Sequence, residues 1–542
     1  MPTNLSITLR TKVARSLPCW FLPAGLVSCA ASLTPRPVDR VLESQVGGLV
    51  DPAWDDLVAF RETQLRYPEL AAPDSPDGPG GPGSVSARPE ARSLGLAECL
   101  AAAFETNRGF LSQREGLILS ALNLIGARNT FSPQLSALLS ASVGGTDPVG
   151  SDSVVSANAS INAALSQILA SGGSVSIDGS TSWSDFDGDG LYDSSVSLNL
   201  VQPLLRGFGW LSSHESLIQA ERSLVYAIRD FELFREDLSI NVASQYYSVV
   251  QQKQSIENLE ANYDRFVFAR RQAEAVHALG STTELDILRA RREELNAENQ
   301  VLEAKEDFQL EVDQLKIFLG LPVDEPVIIV ATEPEVVELD YDLESAVEIA
   351  LANRLDYLTR KDQIEDLERS VRLARDGMRP DLDLTASAGF GGPSASNFGD
   401  QDIDFESWNV GITWNPLLNR VDEKNAHRSA QIAYARELRS FDLFEQNLKI
   451  EIRRSFRELK RRRASLDIQE ELIRDQGRRL KVANLRFEAG EIGNRDVVEA
   501  NQDLLEARNA LIAERVSYEI ARLGLLRQLG ILFVDDKGMV QE

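Results

Sequence analysis

Histidine and methionine are almost missing from this sequence, three of each in 542 residues, and aromatic residues make up only 7%. The histidines, His214, His277 and His427, are scattered through stretches of helical pattern and read as ordinary helix-surface residues. No HExxH, P-loop or GxSxG signature accompanies them, so the converging side chains an enzyme needs are not found. Basic surplus is missing too: 56 Lys and Arg against 83 Asp and Glu leave a net charge of −27, which argues against nucleic acid as a partner. Downstream of the start no run of eighteen apolar residues occurs, which excludes a membrane-spanning helix. A β-barrel needs only short alternating segments and is not excluded.

Residues 1–28 carry Arg10, Lys12 and Arg15, then the apolar stretch "SLPCWFLPAGLVS", the order of an export signal. Leu26-Val27-Ser28-Cys29 resembles a bacterial lipobox, in which Cys29 becomes the lipid-bearing first residue; an ordinary signal with an incidental cysteine is the other reading. Cleavage there leaves Cys29 and Cys99, too few for a disulfide framework. Residues 29–92 form an N-terminal extension ending in the Pro/Gly-rich linker "APDSPDGPGGPGSVSARPEAR". Its formal GxGxxG has prolines inside it and no strand before it, so a nucleotide site is not expected.

Beyond the linker the chain says everything twice, over residues 93–330 and 331–542. "LAECLAAAFETNRG" from Leu96 matches "LESAVEIALANRLD" from Leu343, and Pro133 matches Pro380; both pairs lie 247 apart (343 − 96; 380 − 133). "LVQPLLRG" around Pro203 matches "TWNPLLNR" around Pro416, 213 apart (416 − 203), so the first copy holds about 34 extra residues (247 − 213) between its two prolines. The turns "ALGSTTELD" and "EAGEIGNRD" sit 210 apart (490 − 280), and each puts an Asp six residues after a Gly.

Each copy reads as helix, strands, long helix, turn, long helix. Leu224, Ile228, Phe231, Leu238, Val242, Tyr246 and Val249 keep three-four spacing, predicting a helix from Ser212 to about Val276. Leu288, Leu295 and Leu302, and Leu504, Leu511, Tyr518 and Leu525, step by sevens along the return helices. Helices about 100 Å long, at about 1.5 Å per residue, cannot be buried in one globular core and must lie along one another or along other copies. The strand segments have period two: Leu135, Ala137, Leu139, Ala141 and Val143; Val196, Leu198 and Leu200; Leu382, Leu384, Ala386, Ala388 and Phe390; Trp408, Val410, Ile412 and Trp414. Apolar faces of this kind pack inward in a soluble sandwich and outward in a barrel in lipid.

From about Ser93 to Gly530 the sequence resembles the outer-membrane efflux protein family, the TolC-like channels. The resemblance rests on the paired "LAECLAAAFETN" and "LESAVEIALANR" openings, "QPLLRGFG" at 202–209, and the paired "GSTTELD" and "GEIGNRD" turns. It implies a mixed α and β membrane protein: long antiparallel coiled-coil helices forming a periplasmic α-barrel, plus transmembrane β-barrel strands, from two repeats in a homotrimer. The implied role is the outer-membrane channel of a tripartite efflux or type I secretion system. Its partners would be outer-membrane lipid, a periplasmic adaptor (membrane fusion) protein and an inner-membrane pump or ABC transporter. By resemblance Leu279, Gly280, Ser281, Ala489, Gly490 and Glu491 are the tips that meet the adaptor. Asp496 and Glu499 match acids that form rings at the periplasmic gate, where three copies repel one another and favour cations. Asp286 matches an acid that bridges closed tips, although the expected basic partner is here Ile492, with Arg495 the nearest substitute.

Two departures stand out. Residues 155–165 and 175–177 alternate inside the extra length of the first copy, predicting an added hairpin and six strands per chain rather than four if it joins the barrel. "DFDGDGLYD" places Asp185, Asp187, Asp189 and Asp193 at calcium-loop spacing, but Val196 holds the position of the bidentate acid; Ca2+ in an external loop and a plain Asp/Gly turn both fit. Apart from that ion no cofactor is expected. A second reading, a non-catalytic coiled-coil envelope scaffold without a pore, requires the strands to be soluble.

Overall fold

The structure, a computed structural model, describes residues 92–542 except 147–153, 187–188, 279–282, 335, 340–341, 399–403, 417, 490, 536 and 542. These residues belong to one compact unit, and the segment read as an export signal, with Cys29, lies outside them. The first copy runs β1 (Arg92–Leu94), α1 (Leu96–Thr106), α2 (Arg108–Asn129), β2 (Gln134–Thr146), β3 (Val154–Ile168), β4 (Ser174–Phe186), β5 (Asp189–Pro203), α3 (Trp210–Ala278), α4 (Glu284–Leu319) and β6 (Val327–Ile329). The second runs α5 (Leu343–Asn353), α6 (Leu355–Asp376), β7 (Asp381–Gly391), β8 (Asp404–Asn415), α7 (Val421–Glu488), α8 (Asn494–Leu529), β9 (Phe533–Val534) and β10 (Val540–Gln541).

Helix lengths repeat between the copies: 11 and 11 residues for α1 and α5, 22 and 22 for α2 and α6, 69 and 68 for α3 and α7, 36 and 36 for α4 and α8. The predicted long helix gains two residues at each end, because Trp210 and Ala278 continue the pattern. Helix α3 packs on α4 and α8, and α8 packs on α7, so one half of the layer is ordered α4-α3-α8-α7. In the other half α2 and α6 flank α3, and α6 packs on α7. The short helices meet the return helices end to end. Asn107 caps α2 by accepting from the Phe110 N–H at 2.9 Å and donates to the Phe318 carbonyl of α4 at 2.6 Å, while Thr106 Oγ1 donates to the Leu319 carbonyl at 2.7 Å. One side chain thus satisfies an orphan donor of one helix and an orphan acceptor of another.

The core lies around these joints. Leu94, Cys99, Phe104, Phe110, Tyr246, Leu315 and Leu319 form one cluster, and Leu448, Ile452, Tyr518, Leu525 and Leu529 another. Burial pushes the Cys99 thiol up to about 12, so Cys99 is an unreactive packing residue.

Among the described residues the six long strands form one antiparallel sheet in the order β2-β3-β4-β5-β7-β8. The added hairpin joins it as β3 and β4. Alternation keeps one face apolar, and its outermost residues are bare: Leu135 is 78% exposed on β2 and Trp408 71% on β8. The two copies are tied where strands hand over to helices: Arg206 Nη2 donates to Asp381 at 2.9 Å and the Gly207 N–H to Asp376 at 2.9 Å. The strand phases near Pro203 and Pro416 differ because the exits differ. Pro203 ends β5 itself, whereas β8 stops at Asn415, before Pro416; a register shift also occurs at Gly389/Phe390, at the other end of that pair.

The heptad leucines of α4 turn away from α3. Ala290, Ala297, Val301 and Ala304 are buried, while Leu295 is 55% and Leu302 59% exposed. Small residues let α4 approach its hairpin partner closely, which leaves the larger ones for another surface. On α8, which sits between α3 and α7, Leu504, Tyr518 and Leu525 are buried in the chain itself.

Candidate functional site

Helices α3 and α4 are joined between Ala278 and Glu284, and α7 and α8 between Glu488 and Asn494. Leu279, Gly280, Ser281 and Gly490 lie outside the described residues. Ala489 and Glu491 are seen: Ala489 closes α7, and the Glu491 N–H donates to the Arg486 carbonyl at 2.9 Å, leaving the Glu491 side chain exposed.

Asp286 and Asp496 are each the third residue of a return helix. Carboxylates there face the positive end of the helix dipole, a local reason for an Asp at both turns. In the first copy the role is explicit. Asp286 and Thr283 make a capping box in which Thr283 Oγ1 donates to Asp286 Oδ2 at 2.7 Å, and Arg289 stands 3.5 Å from the other oxygen. In the second, Gly493 is the cap and has no side chain to answer, so Asp496 stays exposed with no ion pair among the described residues. Arg495 likewise has no ion pair among them, and the substitute latch is not among the bridges described.

Glu499 lies one turn beyond Asp496 on α8. It is not free: Arg479 on α7 reaches it at 3.0 Å and also binds Asp503. The other hairpin is clasped similarly, with Arg270 of α3 held by Glu294 of α4. Each clasp ties the outgoing helix to the returning one just inside its tip. Of the two acids predicted for the gate, only Glu499 has an ion pair among the described residues.

The acidic run at 185–193 spans the end of β4 and the start of β5, which pair as far as Phe186↔Asp189. Asp185 is opposite Gly190, and Asp193 is opposite Ser182. Positions 190 and 192 share the face of Asp185, so Asp193 stands on the other face. Asp185 and Asp193 therefore do not share a face, and the calcium reading turns on Asp187 and Asp189. Asp187 and the side chain of Asp189 lie outside the described residues.

One cluster was not legible from spacing. His214 stacks on Phe131 (centroids 4.4 Å apart) and on Trp210 (5.2 Å), and its Nδ1 is 2.7 Å from Ser213 Oγ. The stack marks where α2 leads into the sheet and α3 leaves it. The only signal was two aromatics and a histidine near the strand ends.

Among the described residues no helix is long and apolar enough to cross a membrane. The model of the family described as "Outer membrane efflux protein" matches residues 126–321 and 346–531, well over half of the chain and both copies. Of solved structures, the CmeC outer membrane channel of Campylobacter jejuni is similar with a TM-score of 0.61 at 16% identity, over 80% of this chain and 85% of that one. The outer membrane protein VceC of Vibrio cholerae gives 0.60 at 17% identity, over 80% and 96%. The open state of the MtrE outer membrane channel of Neisseria gonorrhoeae gives 0.53 at 15% identity, over 80% and 89%. At these identities the likeness is one of fold. No curated protein matches.

Proposed function

The chain belongs to the outer membrane efflux protein family, and on that premise we propose how this outer-membrane channel of a tripartite efflux system works. Three copies close into one passive conduit, with no catalytic step along it. The observation that carries the reading is that both layers end in open edges. The sheet stops at β2 and β8, and half of the helical layer stops at α4 and α7, each edge bearing exposed apolar residues. An open sheet edge in lipid leaves its N–H and C=O groups without partners, at several kcal/mol each, so it must be closed by another chain. Because the six strands alternate in direction, β8 of one copy meets β2 of the next antiparallel. The bare apolar face of the sheet then lies against lipid and the Ser- and Asn-rich face lines water.

The helical hairpins extend into the periplasm. Their tips, residues 279–281 and 489–491, would dock the hairpin of an adaptor protein that links the channel to an inner-membrane pump or ABC transporter. Asp496 would form the charged ring at the gate, with Glu499 held back by Arg479; splaying the clasped hairpins apart would widen it. Asp286 would act on the gate through its cap of α4. Cys29, if lipidated after export, would add an acyl anchor to the outer membrane. Photo-crosslinking residues placed at 280 and 490 are expected to capture one adaptor species in cells. Capture of none at either tip, with the channel present in the outer membrane, would overturn the docking assignment.

A further inference from the structure

The first copy has four strands between its short helices and its long one, and the second has two. The surplus hairpin, β3–β4, is fully part of the wall. Strand β3 pairs with β2 from Gln134↔Ser166 to Thr146↔Val154 and with β4 from Ser156↔Phe186 to Ile168↔Ser174. Its alternation is in phase with that of its neighbours. One row of direct cross-strand partners, Leu135, Leu165, Ile177, Leu198, Ala388 and Trp408, crosses all six strands on the apolar face. The turn of the hairpin is fastened at the base of the sheet. The Gly209 N–H donates to the Ser171 carbonyl at 2.9 Å, and Ser171 Oγ donates to Gln202 at 2.5 Å. Gly172, at φ 90°, lies so close to Gly207 that a Cβ would stand 2.3 Å from its carbonyl oxygen.

We propose that this hairpin widens the exit pore, so that the barrel admits solutes about 20 Å across, the size class of polymer coils and small folded chains. The proposal rests on the three-chain conduit above. Strands about 4.8 Å apart and tilted about 40° each take up about 6.3 Å of circumference, so six span about 38 Å and four only about 25 Å. Three copies give a backbone diameter of about 36 Å with six strands each and about 24 Å with four; side chains standing about 5 Å inward on each side leave about 26 Å or about 14 Å.

The test is polymer exclusion in a planar bilayer, with polyethylene glycols of graded size added only on the barrel side so that the periplasmic gate does not set the limit. Two proteins are compared: the full chain and a variant lacking residues 154–186, in which β2 and β5, already antiparallel, can pair directly. The full chain is expected to admit polymers of about 20 Å and the variant to exclude them above about 14 Å. If the variant does not assemble, the cutoff of the full chain and a strand count from electron microscopy of the purified channel decide alone. A trimer whose cutoff lies near 14 Å, or whose barrel has twelve strands, overturns the widening. An assembly of some other number of chains overturns the three-chain reading on which it stands.

Discussion

Gly320 and Gly530 occupy the same station in the two copies. Each ends a return helix in the left-handed conformation, at φ 84° and 67°, and each presses on the joint between two short helices, Thr106-Asn107 in one copy and Asn353-Arg354 in the other. A Cβ on Gly320 would stand 2.1 Å from the Thr106 carbonyl oxygen, and one on Gly530 would stand 3.0 Å from the Arg354 nitrogen. Gly320→Ala is therefore expected to cost on the order of 3 kcal/mol, combining left-handed strain with a backbone clash, and Gly530→Ala about half that. Thermal melting of the purified channel ranks the two. Equal losses would mean that the joint at Thr106 yields more easily than its geometry implies.

The exposed leucines of α4 make a separate prediction about assembly. Leu295→Asp with Leu302→Asp leaves the Ala290, Ala297 and Ala304 face of the hairpin untouched, so each chain should keep its helix content while the trimer falls apart. Circular dichroism and sedimentation, run on the same sample, separate these effects. An intact trimer would show that this seam faces solvent.

Charge at the tip divides unequally between two acids. Asp496→Ala should weaken cation preference in a planar bilayer, whereas Glu499→Ala should change it less, because Arg479 already offsets that carboxylate. Arg479→Ala should strengthen the preference by freeing Glu499 and Asp503 together. Equal effects of the two acid replacements would contradict this assignment.

Glu236 supplies a pH dependence. Burial pushes its carboxyl up to about 8, Asp237, Glu232 and Asp356 add to the rise, and only Arg527 opposes it. One of its oxygens is buried without a hydrogen-bond partner. Between about 4.5 and about 8 the folded chain holds a proton that the unfolded chain releases, so this residue's contribution is full below about 4.5 and is lost as pH rises to about 8. Glu236→Gln should match the parent at low pH and melt several degrees higher at pH 8.5. A constant offset across the range would point to packing instead.

Much of this architecture was legible because duplication in sequence must be duplication in fold. The offsets of 247 and 210 reappear as the two joints, Thr106-Asn107 and Asn353-Arg354, and as the two caps, Gly320 and Gly530. Period-two alternation gave the strands, the added hairpin among them, since a strand with one wet and one apolar face has no other pattern. Pairing across helices was not legible. Nothing in the spacing of Leu295 and Leu302 says which neighbour they face, and the Arg479 clasp joins residues on two helices. Nor does spacing show that Asp185 and Asp193 stand on opposite faces of their hairpin. The ring stack of Phe131, Trp210 and His214 joins residues about 80 positions apart, beyond any local pattern.

The central claim is that single chains cannot close either layer and that three together make a water-filled passage. The most direct measurement is the mass of the complex extracted from outer membranes in detergent, followed by conductance of that same fraction in a planar bilayer. A complex of three chains that conducts is the predicted result. A water-soluble single chain with no conductance, its alternating strands packed on each other, would contradict it.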